Sequence, residues 1–156
     1  MLNPNFVMDQ ELKDRVRRWW GSLERNRGDR AALAHATKID RVYECDAFYR
    51  LKRSLDGDYK LYDPALARTA GVLARIRRDR DGERFGILLS QKVDFDRVKL
   101  LERVNDSDRL YLDFCHLIGM LKGEAPVTGV ADTVYWWEVR KPNREFFYDF
   151  FLKEGA

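Results

Sequence analysis

Histidine and cysteine are scarce in this 156-residue chain, which has only His35, His116, Cys45 and Cys115. Metal centres and nucleophilic sites need such groups to converge in space. Cys115 and His116 are neighbours in sequence, so on a helix their side chains diverge by about 100°. His35 lies in an alanine-rich stretch and reads as a surface or helix-end residue. No Walker loop, no GxGxxG and no HExxH occurs. The carboxylates Asp94, Asp96, Asp106 and Asp108 sit where helix starts are expected, and capping accounts for them. The expectation is therefore a protein without catalytic residues, metal or cofactor. A small nuclease or hydrolase is a remote reading. With no CxxC pair, both cysteines are expected to be reduced and buried. No apolar run approaches the ~18 residues of a membrane span, and Met1-Leu2-Asn3-Pro4-Asn5 lacks the apolar core of a signal peptide. A cytoplasmic protein without membrane contact is expected.

Period-two alternation and Asn-Gly hairpins are missing as well, and there is no internal repeat or low-complexity tract. What is present is helical. Leu12, Val16, Trp19, Trp20 and Leu23 form one stripe, with Arg18 and Arg25 opposite and Arg17 on the flank. Gly28-Asp29 is expected to end one helix and cap the next. Phe48, Leu51 and Leu55 continue, with Arg50 and Arg53 on the outer face, followed by a turn at Asp56-Gly57-Asp58. Asp63-Pro64 reads as cap and first residue of an alanine-rich helix reaching Arg78. Phe85 to Leu89 fits a short helix better than a buried strand, and Asp94 or Asp96 caps the segment with Val98 and Leu101. Asn105-Asp106-Ser107-Asp108 caps the clearest amphipathic helix, with Leu110, Phe114, Leu117 and Leu121 on one face. Val127, Val130, Val134 and Trp137 form the next stripe, broken at Pro142. A last helix from about Asn143 carries five aromatics between Phe146 and Phe151. The fold class is all-α, in two small helical lobes, 1–84 and 85–156, divided near the Asp79–Arg84 loop. Hydrophobic residues at 45% suffice for such a core.

Charge is uneven. Met1 to Leu55 holds 12 Lys and Arg against 8 Asp and Glu, while the whole chain is only +3. Arginines interleaved with aromatics suit a nucleic-acid backbone, because phosphates accept guanidinium forks and bases offer flat faces. An ordinary solvated helix surface has the same composition. Trp19 and Trp20 are candidates for base stacking, yet they share a stripe with Val16 and Leu23, so at least one belongs in the core. The aromatics of the last helix exceed one face; they are buried on two sides or some meet another protein. Arg75, Arg77 and Arg78 compensate a helix dipole in part, but the run continues through Arg80 and Arg84.

Taken together, Trp19-Trp20 with Leu23, Arg27-Gly28-Asp29-Arg30-Ala31-Ala32-Leu33 and Ala47-Phe48-Tyr49-Arg50-Leu51 resemble the CasB family, the small subunit of the type I-E CRISPR complex Cascade. The second half keeps step, through Phe85-Gly86 with Leu88-Leu89, Phe95-Asp96-Arg97-Val98-Lys99-Leu100-Leu101, Ala125-Pro126-Val127, Tyr135-Trp136-Trp137 and the aromatic end. The resemblance implies a non-enzymatic, all-helical, two-lobed protein in the cytoplasm. Its implied partners are other Cascade subunits, a second copy of itself, guide RNA and target DNA. In antiviral defence its basic surface would stabilise the R-loop without reading sequence. On that basis Arg17, Arg18, Arg27, Arg30, Arg50, Arg53, Arg77, Arg78, Arg97 and Arg103 are the expected nucleic-acid contacts. Two departures stand out: Cys115-His116 replaces adjacent arginines common in the family, and Thr128-Gly129 replaces an Asp-Trp pair. The competing reading is an all-helical protein–protein adaptor without nucleic-acid contact.

Overall fold

The computed structural model describes residues 9–55 and 61–152, so the turn expected at Asp56-Gly57-Asp58 lies outside the described residues. Among them the chain forms α1 (Gln10–Ser22), α2 (Arg27–Ala34), α3 (Ile39–Val42), α4 (Asp46–Leu55), α5 (Asp63–Leu73), β1 (Arg78–Asp79), α6 (Phe85–Ser90), α7 (Phe95–Lys99), a 3-10 turn (Leu100–Arg103), α8 (Ser107–Met120), β2 (Glu124–Ala125), α9 (Val127–Trp136) and α10 (Arg144–Leu152). The all-α expectation holds. The two short strands pair in parallel, Arg78 opposite Glu124 and Asp79 opposite Ala125. A two-residue ladder is too short to leave an alternating pattern, which is why the sequence shows no sign of it.

In α1 the Asp9 carboxylate accepts from the Glu11 amide at 2.7 Å, and Leu12, Val16, Trp19 and Trp20 are buried. Both indoles are core groups with satisfied N–H donors: Trp19 Nε1 donates to the Ala47 carbonyl at 2.9 Å and Trp20 Nε1 to that of Ile76 at 3.0 Å. Base stacking by either is thereby ruled out in this conformation. Two helix starts differ from expectation. Asn26 caps α2, its side chain accepting from the Asp29 amide, so Gly28 and Asp29 lie inside the first turn. Asp63 is the first residue of α5 rather than its cap, and Pro64 follows it. The Asp63 carboxylate instead meets Lys52 at 3.0 Å, favourable to the positive helix end as well.

Every residue of α5 from Ala65 to Leu73 is buried. Small side chains at Ala65, Ala67, Ala70 and Gly71 let α3, α8, α9, α2 and α4 approach from several sides. The exception in size and charge is Arg68, 1% exposed, whose guanidinium binds Glu138 and donates to the Val134 carbonyl at 2.9 Å. Burial pushes the Glu138 carboxyl up, but the hydrogen bond and charge of Arg68 outweigh it and hold the group below its usual range. Tyr111 of α8 lies over Gly71, where an added Cβ would come within 2.4 Å of its hydroxyl.

Helix α8 starts as expected, Asp106 accepting from the amides of Asp108 and Arg109. Helix α10 packs on α6. Phe146 and Phe150 are buried, Phe147 partly so, and Phe95 of α7 meets Phe147, Phe150 and Phe151. Tyr148, Phe151 and Leu152 remain exposed at 67%, 47% and 37%. The aromatics therefore satisfy both alternatives, two inner sides and an outer remainder. The α6–α10 approach depends on Gly86, since a Cβ there would lie 2.7 Å from the Phe146 carbonyl and 2.9 Å from Asp149 Cβ. That obstacle is main chain and cannot swing aside. Gly86→Ala is expected to cost about 1–3 kcal/mol, read as a lower urea midpoint; a midpoint equal to wild type would contradict this packing.

Both cysteines are free and buried. Burial pushes the Cys115 thiol up to about 11 from an ordinary 9.0 and raises Cys45 too. The neutral thiol of Cys115 is thus favoured by the fold. Its contribution to stability is complete below about pH 9, where the unfolded thiol is also neutral, and is lost as pH rises towards 11. Urea midpoints should fall across that window, and Cys115→Ala should flatten the fall. Rapid reaction of Cys115 with a thiol reagent at pH 8 would contradict the burial.

Candidate nucleic-acid interface

The alanine-rich helix stops at Leu73, five residues short of Arg78, and the chain continues through a turn at Ala74-Arg75 into a short strap that includes β1. Arg75 turns inward: its guanidinium donates to the carbonyls of Gly71 at 2.8 Å and Ala36 at 3.0 Å and to the Tyr111 hydroxyl at 2.8 Å. The Ile76 carbonyl accepts from Trp20 Nε1 and, at 3.3 Å, from Arg30 Nη2. The amides of Arg77 and Arg78 both donate to the Gly123 carbonyl, at 2.7 and 3.1 Å, and Arg80 N donates to Ala125 at 3.0 Å. Gly123 has φ +75, and a Cβ on it would come within 2.8 Å of Arg77 Cγ and 3.2 Å of the Arg75 carbonyl. Only glycine combines that backbone angle with that contact. Asp79 then binds both ways, Oδ1 accepting from the Val127 amide at 3.0 Å to cap α9 and Oδ2 from Arg17 at 3.3 Å.

This strap sorts the ten arginines expected from sequence. Arg77 and Arg78 leave it into solvent; Arg77 has no ion pair among the described residues, and Arg78 has only a 3.8 Å approach to Glu124. Arg30 lies beside them, its guanidinium 5.9 Å from the Trp20 ring centre and its Nε buried without a partner. Burial and the neighbouring Arg77 charge lower its pKa against a smaller pull from Glu24. Arg27 stands one turn before Arg30 on α2, exposed and unpaired among the described residues. Arg30 thus meets the Ile76 carbonyl, with the Arg77 charge near it, while Arg27 and Arg78 are exposed on α2 and β1.

Other members are held differently. Arg17 pairs with Asp14, Asp79 and Asp81, the last at 3.0 Å. Arg50 binds Asp29 at 2.6 Å and ties α4 to α2. Arg80 and Arg84, which extend the basic run in sequence, bind Glu83 with Glu124, and Asp149 with Glu145, respectively. Arg18 and Arg53 are exposed without ion pairs among the described residues.

Arg97 and Arg103 border a cleft of about 650 Å³ between the 3-10 turn and α8. Sequence reasoning missed the other groups there. Arg109 and His116 lie on the exposed side of α8, and Leu100 is 55% exposed at the rim. The signal available was the i, i+7 spacing of Arg109 and His116, which puts both on one face. Among the described residues no group of three His, Cys, Asp or Glu is placed to hold a metal ion, and no helix is long and apolar enough to cross a membrane.

The architecture defines a small all-α protein assembled around one buried helix and a strap. Its fold is similar to that of a chain in the crystal structure of E. coli Cascade bound to a PAM-containing dsDNA target, with a TM-score of 0.70, 22% sequence identity, and coverage of 90% of this chain and 94% of that one. No family model and no curated protein matches the sequence.

Asp79 is the residue on which the strap, α1 and α9 all depend. Asp79→Ala leaves the Val127 amide without its acceptor and Arg17 without its half-buried acid. A loss of about 1–2 kcal/mol is expected in chemical denaturation; an unchanged stability would show that the clasp contributes nothing.

Proposed function

We propose that this protein is a non-enzymatic, nucleic-acid-binding small subunit of a Cascade-like surveillance complex. In that role it holds the guide RNA–target duplex and the displaced DNA strand through their backbones. The reading is supported by one observation above all: exposed Arg27 and Arg77 without an ion pair among the described residues, Arg78 with only a 3.8 Å approach to Glu124, and half-buried Arg30 against the Ile76 carbonyl, on a fold that is similar to a chain of a DNA-bound Cascade. Arg18, Arg53, Arg97 and Arg103 have the same freedom and are proposed as further contacts. Arg17 and Arg50 would have to exchange acids for phosphates, so their contribution is expected to be smaller. The proposed partners are the other subunits of the complex, a second copy of the chain, guide RNA and target DNA, in the cytoplasm.

The adaptor reading keeps one observation in its favour, the exposed Tyr148, Phe151 and Leu152 on α10, which suit contact with another protein. Alanine pairs Arg27/Arg30 and Arg77/Arg78 separate the readings when the assembled complex is titrated with DNA at several salt concentrations. Each lost phosphate contact should reduce the salt slope by about 0.7 on single-stranded DNA and about 0.9 on duplex. Affinity should fall alike for unrelated sequences, because phosphates carry no base identity. Unchanged affinity and slope for both pairs would defeat the phosphate-binding reading. Lost subunit incorporation with intact DNA contacts would favour the adaptor. Metal-dependent cleavage of any strand would overturn the non-enzymatic assignment.

A further inference from the structure

The cleft beside the 3-10 turn is chemically unlike the strap. Its floor is apolar, built by Leu101, Leu112 and Leu117, and Leu100 stands exposed at its rim. Its carboxylates are already engaged, Asp106 in capping α8 and Asp113 with Arg109 at 3.2 Å. Arg97 and Arg103 border it without an ion pair among the described residues. We propose that this cleft seats an unpaired nucleobase, with the flanking phosphates held by Arg97 and Arg103. The inference rests on the nucleic-acid reading above and adds to it a second site that takes the base rather than the backbone alone.

The occupant follows from charge complementarity and shape. A duplex stacks its bases inside and has no use for an apolar floor. A purely apolar peptide would leave two guanidinium groups unanswered. A single strand offers both a flat apolar face and an anion on either side of it. His116 adds an aromatic ring to the lining and Asn105 an amide able to meet a base edge. About 650 Å³ is ample for one nucleotide.

The test uses the full chain and two fluorescent single strands of equal length, a thymidine run and the same backbone made abasic. The thymidine strand should bind about 5- to 150-fold more tightly, the range for one stacked base. Leu100→Ser with His116→Ala should bring that ratio towards one while leaving the salt slope unchanged. Both positions are exposed, so folding should survive, and the wild-type ratio is informative without any variant. Arg77→Ala with Arg78→Ala should weaken both strands equally and preserve the ratio. Equal binding of the two strands by wild type overturns the cleft proposal and leaves the phosphate-binding reading standing. A ratio that survives the cleft variant also overturns it, and if that variant then loses assembly with other subunits the cleft is a protein-docking surface. Failure to bind either strand at low salt overturns the cleft proposal, and the phosphate-binding reading falls with it if the arginine pairs leave the affinity of the assembled complex unchanged.

Discussion

The segment from Arg75 to Arg80 is tied down through its main chain, and at Ile76, its one buried residue, a carbonyl without a hydrogen bond would cost on the order of 1–3 kcal/mol. The fold answers from both sides. Trp20 and Arg30 satisfy the Ile76 carbonyl from the first helices, and Gly123 and Ala125 accept from the amides of Arg77, Arg78 and Arg80. Arg75 turns inward to Gly71, Ala36 and Tyr111. Arg77 and Arg78 turn out, and Asp79 arrives at the start of α9.

Helix α5 imposes the second constraint. A helix buried on all sides has no surface for charge, yet it carries Arg68 at its centre. The residue is tolerated because Glu138 and the Val134 carbonyl meet its guanidinium. Such a buried pair adds little net stability over an apolar replacement. What it does supply is register between α5 and α9, since only one sliding position aligns the fork with both acceptors. Arg75 repeats the arrangement one helical end later, with Ala36, Gly71 and Tyr111.

Most of the helices were legible because their stripes are long. Leu12 to Leu23, Leu110 to Leu121 and Val127 to Trp137 each span two or more turns, where periodicity outweighs local exceptions. Helix ends were less legible. Asn26 caps where Asp29 was expected, because choosing the cap depends on which carboxylate Arg50 will claim across the fold. The β1–β2 ladder and the role of Gly123 leave no local trace at all. Within the candidate site, residue type was readable and pairing was not. Arg77 and Arg80 look alike in sequence, and only the nearby Glu83 and Glu124 make one a tether and leave the other free.

That last distinction governs what charge can mean here. A chain of +3 with both signs abundant says little about partners. Exposed ion pairs such as Arg41 with Glu44 stabilise the fold by a few tenths of a kcal/mol and cancel each other's field. What an approaching polyanion meets is the small subset left over after internal pairing. Arg30 is held by the Trp20 ring and the Ile76 main-chain carbonyl. A cation fixed in place loses less conformational entropy on binding than one on a free stem. Anchoring by a hydrogen bond to a carbonyl, as for Arg30, fixes the guanidinium and leaves its charge intact.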